Sequence, residues 1–383
     1  MKIKQVLLIS IVLISALFIS SQEGQTKWKG TIEDINGVII VNNIGDPIYE
    51  KASINIEKEI AIGAEAGTEE YLFSRINDFD VDENGNIYII DGASAQIRVF
   101  NSDGKYSKAI GRKGQGPGEF QMPVFVQITA QNEVAVFDYM PRKMIFFSLD
   151  GRYLRQIVST WSKYSIQPIK LDSHGDLIGI EVMAPAPIGG KLLNKYDPDL
   201  KPIIEIFKEE PDIENQKNKE FDIEKPLLCC AVSSRDNVYW AYPEKYEIKI
   251  IDHAGKLTRI IQKKHKNLAF LTKDREKYER QYSDVIKMGA RLVFPDKLPA
   301  FKDMSIDEQE RLYIKTYERE EGKEGIFYFD VFDAEGKYLA KVAPNANLNR
   351  NSIWKKGKLY TIEYDEKGYE KIVRYKCSWT KLN

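Results

Sequence analysis

The sequence predicts an all-β protein, a six-bladed β-propeller of four-stranded antiparallel blades, on three observations. Short apolar runs of strand length recur along almost the whole chain, each bounded by clusters of Gly, Asn, Asp and Ser. The runs fall into groups of four that repeat, so that Gly104 in the last turn of one group has its counterpart, Gly151, 47 residues on, a period of blade length. The last group lacks its outermost strand, while an alternating strand near the N-terminus, Ser53–Ile62 (SINIEKEIAI), has no group of its own. Pairing the two closes the ring and removes its open edges.

Taken in order, the chain opens with Lys2 and Lys4 and a 14-residue run, Val6–Ile19, that is apolar except for Ser10 and Ser15. A bilayer-spanning helix takes roughly 20 apolar residues, so residues 1–21 read as a secretory signal cleaved before Gln22. No Cys follows the run to accept a lipid. Export to the periplasm or the extracellular space, without stable membrane insertion after cleavage, is the expectation, and the propeller occupies residues 22–383. Lys and Arg total 56 against 57 acids, a balance that points away from nucleic acid.

After a strand-like stretch at 37–41 and the orphan strand at 53–62, the first complete unit has runs near 79–81, 87–90, 97–100 and 106–110. Asn84-Gly85, Asp91-Gly92 and Asp103-Gly104 punctuate it and tolerate the positive φ of tight turns. The second unit uses 125–129, 133–138, 144–148 and 153–158; the third uses 167–171, 176–182, 193–196 and 202–207, with the turn Gly replaced. The fourth has 228–232, 237–241, 247–251 and 256–261, and the fifth 302–306, 311–315, 327–332 and 338–342. The sixth has 351–354, 358–364 and 370–376. An insertion at about 262–298 separates the fourth and fifth units. Within it Thr272 caps an expected helix over 273–288 that ends before Gly289. Its apolar stripe, Tyr278, Tyr282, Val285 and Ile286, needs a surface to rest on.

The series Asp82-Glu83-Asn84-Gly85-Asn86-Ile87-Tyr88, Ile97-Arg98-Val99-Phe100, Asp103-Gly104-Lys105 and Gly111-Arg112-Lys113-Gly114-Gln115-Gly116-Pro117-Gly118-Glu119-Phe120 resembles NHL repeats. With Trp28, Gly37-Val38, Pro47 and Tyr49 the chain resembles a secreted bacterial family of six-bladed β-propellers that carries such repeats. It departs from that family at Ile44, where Pro is frequent, and in the insertion. The resemblance implies the fold and export, and no particular activity.

In a meander the first and third turns share one face, and the second turn and the link to the next blade share the other. The tight Gly turns therefore lie together. The long connections 111–123, 183–191, 208–225, 262–301 and 317–325 gather opposite them, where binding residues usually sit. On that face Arg112 and Lys113 offer an anion contact, although their loop lacks the Gly-Lys-Ser/Thr ending of a phosphate loop. Glu181, Trp240, Tyr242 and Arg291 are non-repeated groups near it, the aromatics suited to stacking on a glycan or a peptide. Asp91 with Arg98, and Asp138 with Arg142, recur between blades and read as structural ties.

Cys229, Cys230 and Cys377 are too few for a disulfide framework, and His174, His253 and His265 lie at no ligand spacing. With no Gly-x-Ser-x-Gly either, the favoured reading is a non-catalytic binding or scaffold propeller, without cofactor, that takes a protein, peptide or glycan partner. The alternative is a Ca2+-dependent hydrolase or lyase at the central channel, with Asp78, Glu181 and Asp303 as its carboxylates.

Overall fold

The computed structural model describes residues 27–64, 67–160, 165–183, 190–212, 218–323, 325–346 and 348–380; the leader at 1–21 lies outside them. Five blades follow chain order, at 76–110, 123–158, 165–209, 229–263 and 303–342, each a four-stranded antiparallel meander. The innermost strands are Ile76–Val81, Pro123–Ile128, Ser165–Leu171, Cys229–Val232 and Asp303–Ile306. The sixth blade combines Ile353–Lys355, Lys358–Tyr364 and Glu370–Thr380 with Ser53–Ile62 as its outer strand. That pairing is antiparallel and runs from Ser53 opposite Thr380 to Ile62 opposite Ile372, so the last blade is stitched from both ends of the chain. Among the described residues no helix is long and apolar enough to cross a membrane.

Apolar clusters fill the space between neighbouring blades rather than a single centre. Between blades one and two, for instance, Ile90, Ile97 and Val99 meet Val134, Val136 and Ile145. The tight turns between third and outer strands cap these clusters. Gly336 has φ +88, and a Cβ there would stand 2.7 Å from Ile261 Cγ1 of the preceding blade, so both conformation and space require glycine. In the third blade Leu200 takes the position with φ 61 and is itself 2% exposed; buried leucine surface offsets the cost of its left-handed backbone. The first residue of these turns repeats a local bond. Asp252 accepts the N–H groups of Ala254 and Lys256, and Asp333 those of Glu335 and Lys337.

The structure departs from the sequence reading at two places. The single strand expected at 37–41 is a hairpin, Gly30–Ile35 with Val38–Asn43, and its second strand runs parallel to Leu257–Lys263, extending blade four to six strands. Asn43 pins it: its amide donates to the carbonyls of Gln262 and Gly336, and its oxygen accepts from Tyr338 N–H at 2.7 Å. The expected helix is two helices, α1 (Thr272–Gln281) and α2 (Ser283–Lys287), broken at Tyr282. Thr272 is the first helical residue, and the cap position falls to Leu271, which makes no side-chain cap bond. Gly289 has the left-handed φ of 90 just beyond the end. Ile286 stays 39% exposed, so the packed part of the stripe is Tyr278, Tyr282 and Val285.

Candidate functional site

An axial channel of ≈ 680 Å³ is lined by the innermost strands of all six blades. Its wall is built by a repeated device. Two residues before the first turn of blades one, two, three and five stand the polar residues Asp80, Gln127, Lys170 and Ser305. Each reaches the innermost strand of the next blade or the turn just beyond it. Asp80 Oδ2 accepts from Ile128 N–H at 2.6 Å. The Gln127 amide donates to the Leu171 carbonyl and accepts its N–H, at 2.8 and 2.7 Å. Lys170 Nζ donates to the carbonyls of Val232 and Ser233, and Ser305 Oγ accepts from Trp354 Nε1. One register nearer the loop-bearing face, Asp78 Oδ2 accepts from Val126 N–H and Asp303 Oδ2 from Arg350 N–H. These bonds lock blade to blade and fix the polar lining before any ligand arrives.

Burial in this wall pushes the Asp78 carboxyl up to about 7 and that of Asp80 to about 6. Asp80 has Lys355 and Lys170 close enough to favour its charge, whereas the neighbouring charge felt by Asp78 is Asp80 itself. Burial likewise lowers Lys170.

On the loop-bearing face the insertion is tied down through Glu224. Its carboxylate accepts from the hydroxyls of Tyr278 and of Tyr317 (2.8 Å) and pairs with Lys302 Nζ at 3.1 Å. Burial works to raise this carboxyl, but Lys302 and the tyrosine hydroxyls outweigh it and hold it below the usual range. Tyr282 rests on Phe221 and Phe270 on Phe294, with ring centroids 5.1 and 5.5 Å apart. A short parallel pair, Glu220–Asp222 with Arg291–Val293, completes this small flap. Removing the carboxylate orphans three donors, so Glu224→Ala should loosen the flap by about 2–3 kcal/mol. Limited trypsin digestion checks it: cutting at the helix residues Lys273, Arg275 and Lys277 should quicken while the propeller persists. An unchanged digestion rate would mean that the flap is held by its aromatic contacts alone.

The residues singled out from sequence occupy separate places. Arg112 braces its own loop through Glu119 at 2.8 Å, and Lys113 bridges to Phe120 beside it. Glu181 is buried in blade three, where its Oε1 accepts from Tyr196 OH at 2.7 Å. Trp240 and Tyr242 both pack against Phe207 between blades three and four, with ring centroids 5.2 and 5.7 Å from it; Tyr242 OH also donates to Glu209. Arg291 pairs with Glu220 on the flap. Asp91 and Arg98 form a buried ion pair at 2.7 Å, and the same guanidinium donates to the carbonyls of Glu69, Glu70 and Leu72. In blade two Asp138 accepts the N–H groups of Gln121 and Met122, and the cation set against it is buried Lys143, one residue beyond Arg142. Arg142 follows the cis peptide Met140-Pro141 with φ 68.

Asp78, Glu181 and Asp303 do not converge: Glu181 is engaged inside its blade and Asp303 faces Arg350. Among the described residues no three His, Cys, Asp or Glu side chains stand together as a metal-holding group. Sequence reasoning missed Asp80, Gln127, Lys170, Glu224 and Arg350. The first three carried a signal, a polar residue at one fixed distance from successive turns; Glu224 carried none, because its partners come from distant segments.

Residues 66–174 match the model of a family described as a 6-bladed beta-propeller. No curated protein matches the chain. Among solved structures, a member of the DUF4221 family from Bacteroides vulgatus is 11% identical, with 85% of this chain and 98% of that one covered and a TM-score of 0.52. A Bacteroides fragilis protein described as exported is 12% identical, over 88% of this chain and 99% of that one, with a TM-score of 0.48. Virginiamycin B lyase from Staphylococcus aureus is 10% identical, over 84% and 99%, with a TM-score of 0.43. At such identities the likeness is one of fold.

Proposed function

We propose that this six-bladed propeller is an exported, non-catalytic binding protein that takes its ligand on the loop-bearing face, at the mouth of the axial channel. One observation carries the reading. The tight-turn face spends polar side chains such as Asp252 and Asp333 on its own turns, whereas Gln167 and Asn351 line the channel with side-chain amides that have no hydrogen-bond partner among the described residues. Unspent polar groups in a preformed concavity suit a ligand site. The signal-like leader supports export, and the flap anchored at Glu224 lies on the same face as the mouth.

The test is a thermal-shift panel of neutral saccharides, acidic saccharides and short peptides on the mature chain, residues 22–383. At least one class should raise Tm. The shift should disappear in Arg350→Ala, at the mouth, and survive in Lys256→Ala, on the tight-turn face. A shift that follows Lys256 instead would move the site to the opposite face and end this reading.

A further inference from the structure

We infer that the loop-face end of the axial channel is a binding site for a neutral, polyhydroxylated ligand, a sugar residue. The inference rests on the binding reading above and adds the chemical class. The cavity of ≈ 680 Å³ falls within the range of small-molecule sites, about 300–1,000 Å³.

The lining is balanced in charge. Its carboxylates are Asp78, Asp80 and Glu308, and its cations are Lys170, Arg350 and Lys355. A wall of three acids and three bases has no strong field of one sign to draw in a multiply charged anion or cation. The unspent hydrogen-bonding capacity is of the two-way kind that hydroxyl groups use. The Gln167 and Asn351 amides each donate and accept, and neither side chain has a partner among the described residues. The Arg350 guanidinium, 58% exposed, approaches Asp303 only to 3.9 Å. Asp78 is engaged by Val126 N–H on one oxygen and keeps further lone pairs. A hydroxyl donates once and accepts twice, so a ring of hydroxyls can satisfy amide, guanidinium and carboxyl together. An extended peptide would need a free strand edge or an unpaired charge to seat on. Each innermost strand is the end strand of its sheet, but where blades one, two and three meet, the outward N–H groups of Val126, Ile128 and Leu171 are already taken by Asp78, Asp80 and Gln127 of the preceding blade, which leaves a peptide no continuous edge there.

The experiment is titration calorimetry on the mature chain with three neutral probes, maltotriose, cellotriose and mannotriose, beside trigalacturonate and triglycine. At least one neutral trisaccharide should bind, with an affinity unchanged between about 50 and about 500 mM salt, as for an uncharged ligand. Gln167→Ala and Asn351→Ala should each weaken it by at least about tenfold without shifting Tm. Neutral binding that ignores both substitutions overturns the site. Binding of trigalacturonate or triglycine in place of the neutral probes, lost in Arg350→Ala, overturns the sugar class and leaves the binding reading standing. Silence from all five probes overturns the sugar inference, and the binding reading falls with it only if the broader thermal-shift panel is also silent.

Discussion

A chain that begins at residue 63 should fail to fold, while one that begins at residue 46 should form the propeller with a lowered Tm. The first truncation removes Ser53–Ile62 and leaves Glu370–Thr380 as an open edge along its whole length. It also strips both flanks of the sixth blade. Ile54 and Ile56, 8% and 5% exposed, pack with Tyr313 and Val331 of blade five; Ile62, 1% exposed, packs with Ile76 and Phe79 of blade one. At about 2 kcal/mol for each buried isoleucine, the loss is roughly 6 kcal/mol before any ladder hydrogen bond is counted. That rivals the whole stability of an ordinary domain, about 5–15 kcal/mol. The second truncation removes only the hairpin on blade four and the Asn43 bonds, and the ring still closes. Circular dichroism and size-exclusion chromatography of the two chains decide the matter. A soluble, cooperatively melting protein lacking residues up to 62 would show that closure is ornamental.

How far the sequence could be read follows from what each feature depends on. The blade count and closure were legible because turn chemistry is local: Gly104, Gly151, Gly255 and Gly336 mark equivalent turns with φ of +78, +97, +82 and +88. The orphan strand was legible as a missing partner. The hairpin at Gly30–Asn43 was not, because its second strand joins a strand more than two hundred residues away, in parallel, and nothing near it in sequence records that choice. The tie in blade two was misassigned by one position: Lys143 on the strand, rather than Arg142 in the turn, turns inward to Asp138. At the candidate site the channel ring was present in the sequence as Asp80, Gln127 and Lys170, each two residues before a turn. It was overlooked because a polar residue in a half-buried strand ordinarily marks the solvent side, and in a propeller the innermost strand has a wet channel on that side. The Glu224 node joins 224, 278, 302 and 317, and no periodicity connects those numbers.

Between pH 5 and pH 8 the protein should lose stability, and Asp78→Asn should remove most of the loss. An ordinary Asp in the unfolded chain titrates near 3.9, while in the channel wall Asp78 is pushed up to about 7 and Asp80 to about 6. A carboxyl raised on folding binds its proton more tightly in the native state, so stability falls as pH climbs from about 4 through the native values and levels off above them. For Asp78 the rise of about three units corresponds to at most roughly 4 kcal/mol. Asp80 contributes less, with Lys355 and Lys170 beside it. Asp138 and Asp333, also pushed up by burial, act in the same direction. His265 opposes them: burial lowers it, so stability from this group rises as pH climbs to the ordinary imidazole value and levels off above it. Asparagine at 78 keeps an acceptor for Val126 N–H and cannot ionise, so the variant should be the more stable protein at pH 8, with an advantage that shrinks to about 1.5 kcal/mol or less at pH 5. Urea unfolding at the two pH values measures both differences. A parent as stable at pH 8 as at pH 5, or an Asp78→Asn variant that is weaker at pH 8, would place the ionised carboxylate among the groups that hold blades one and two together.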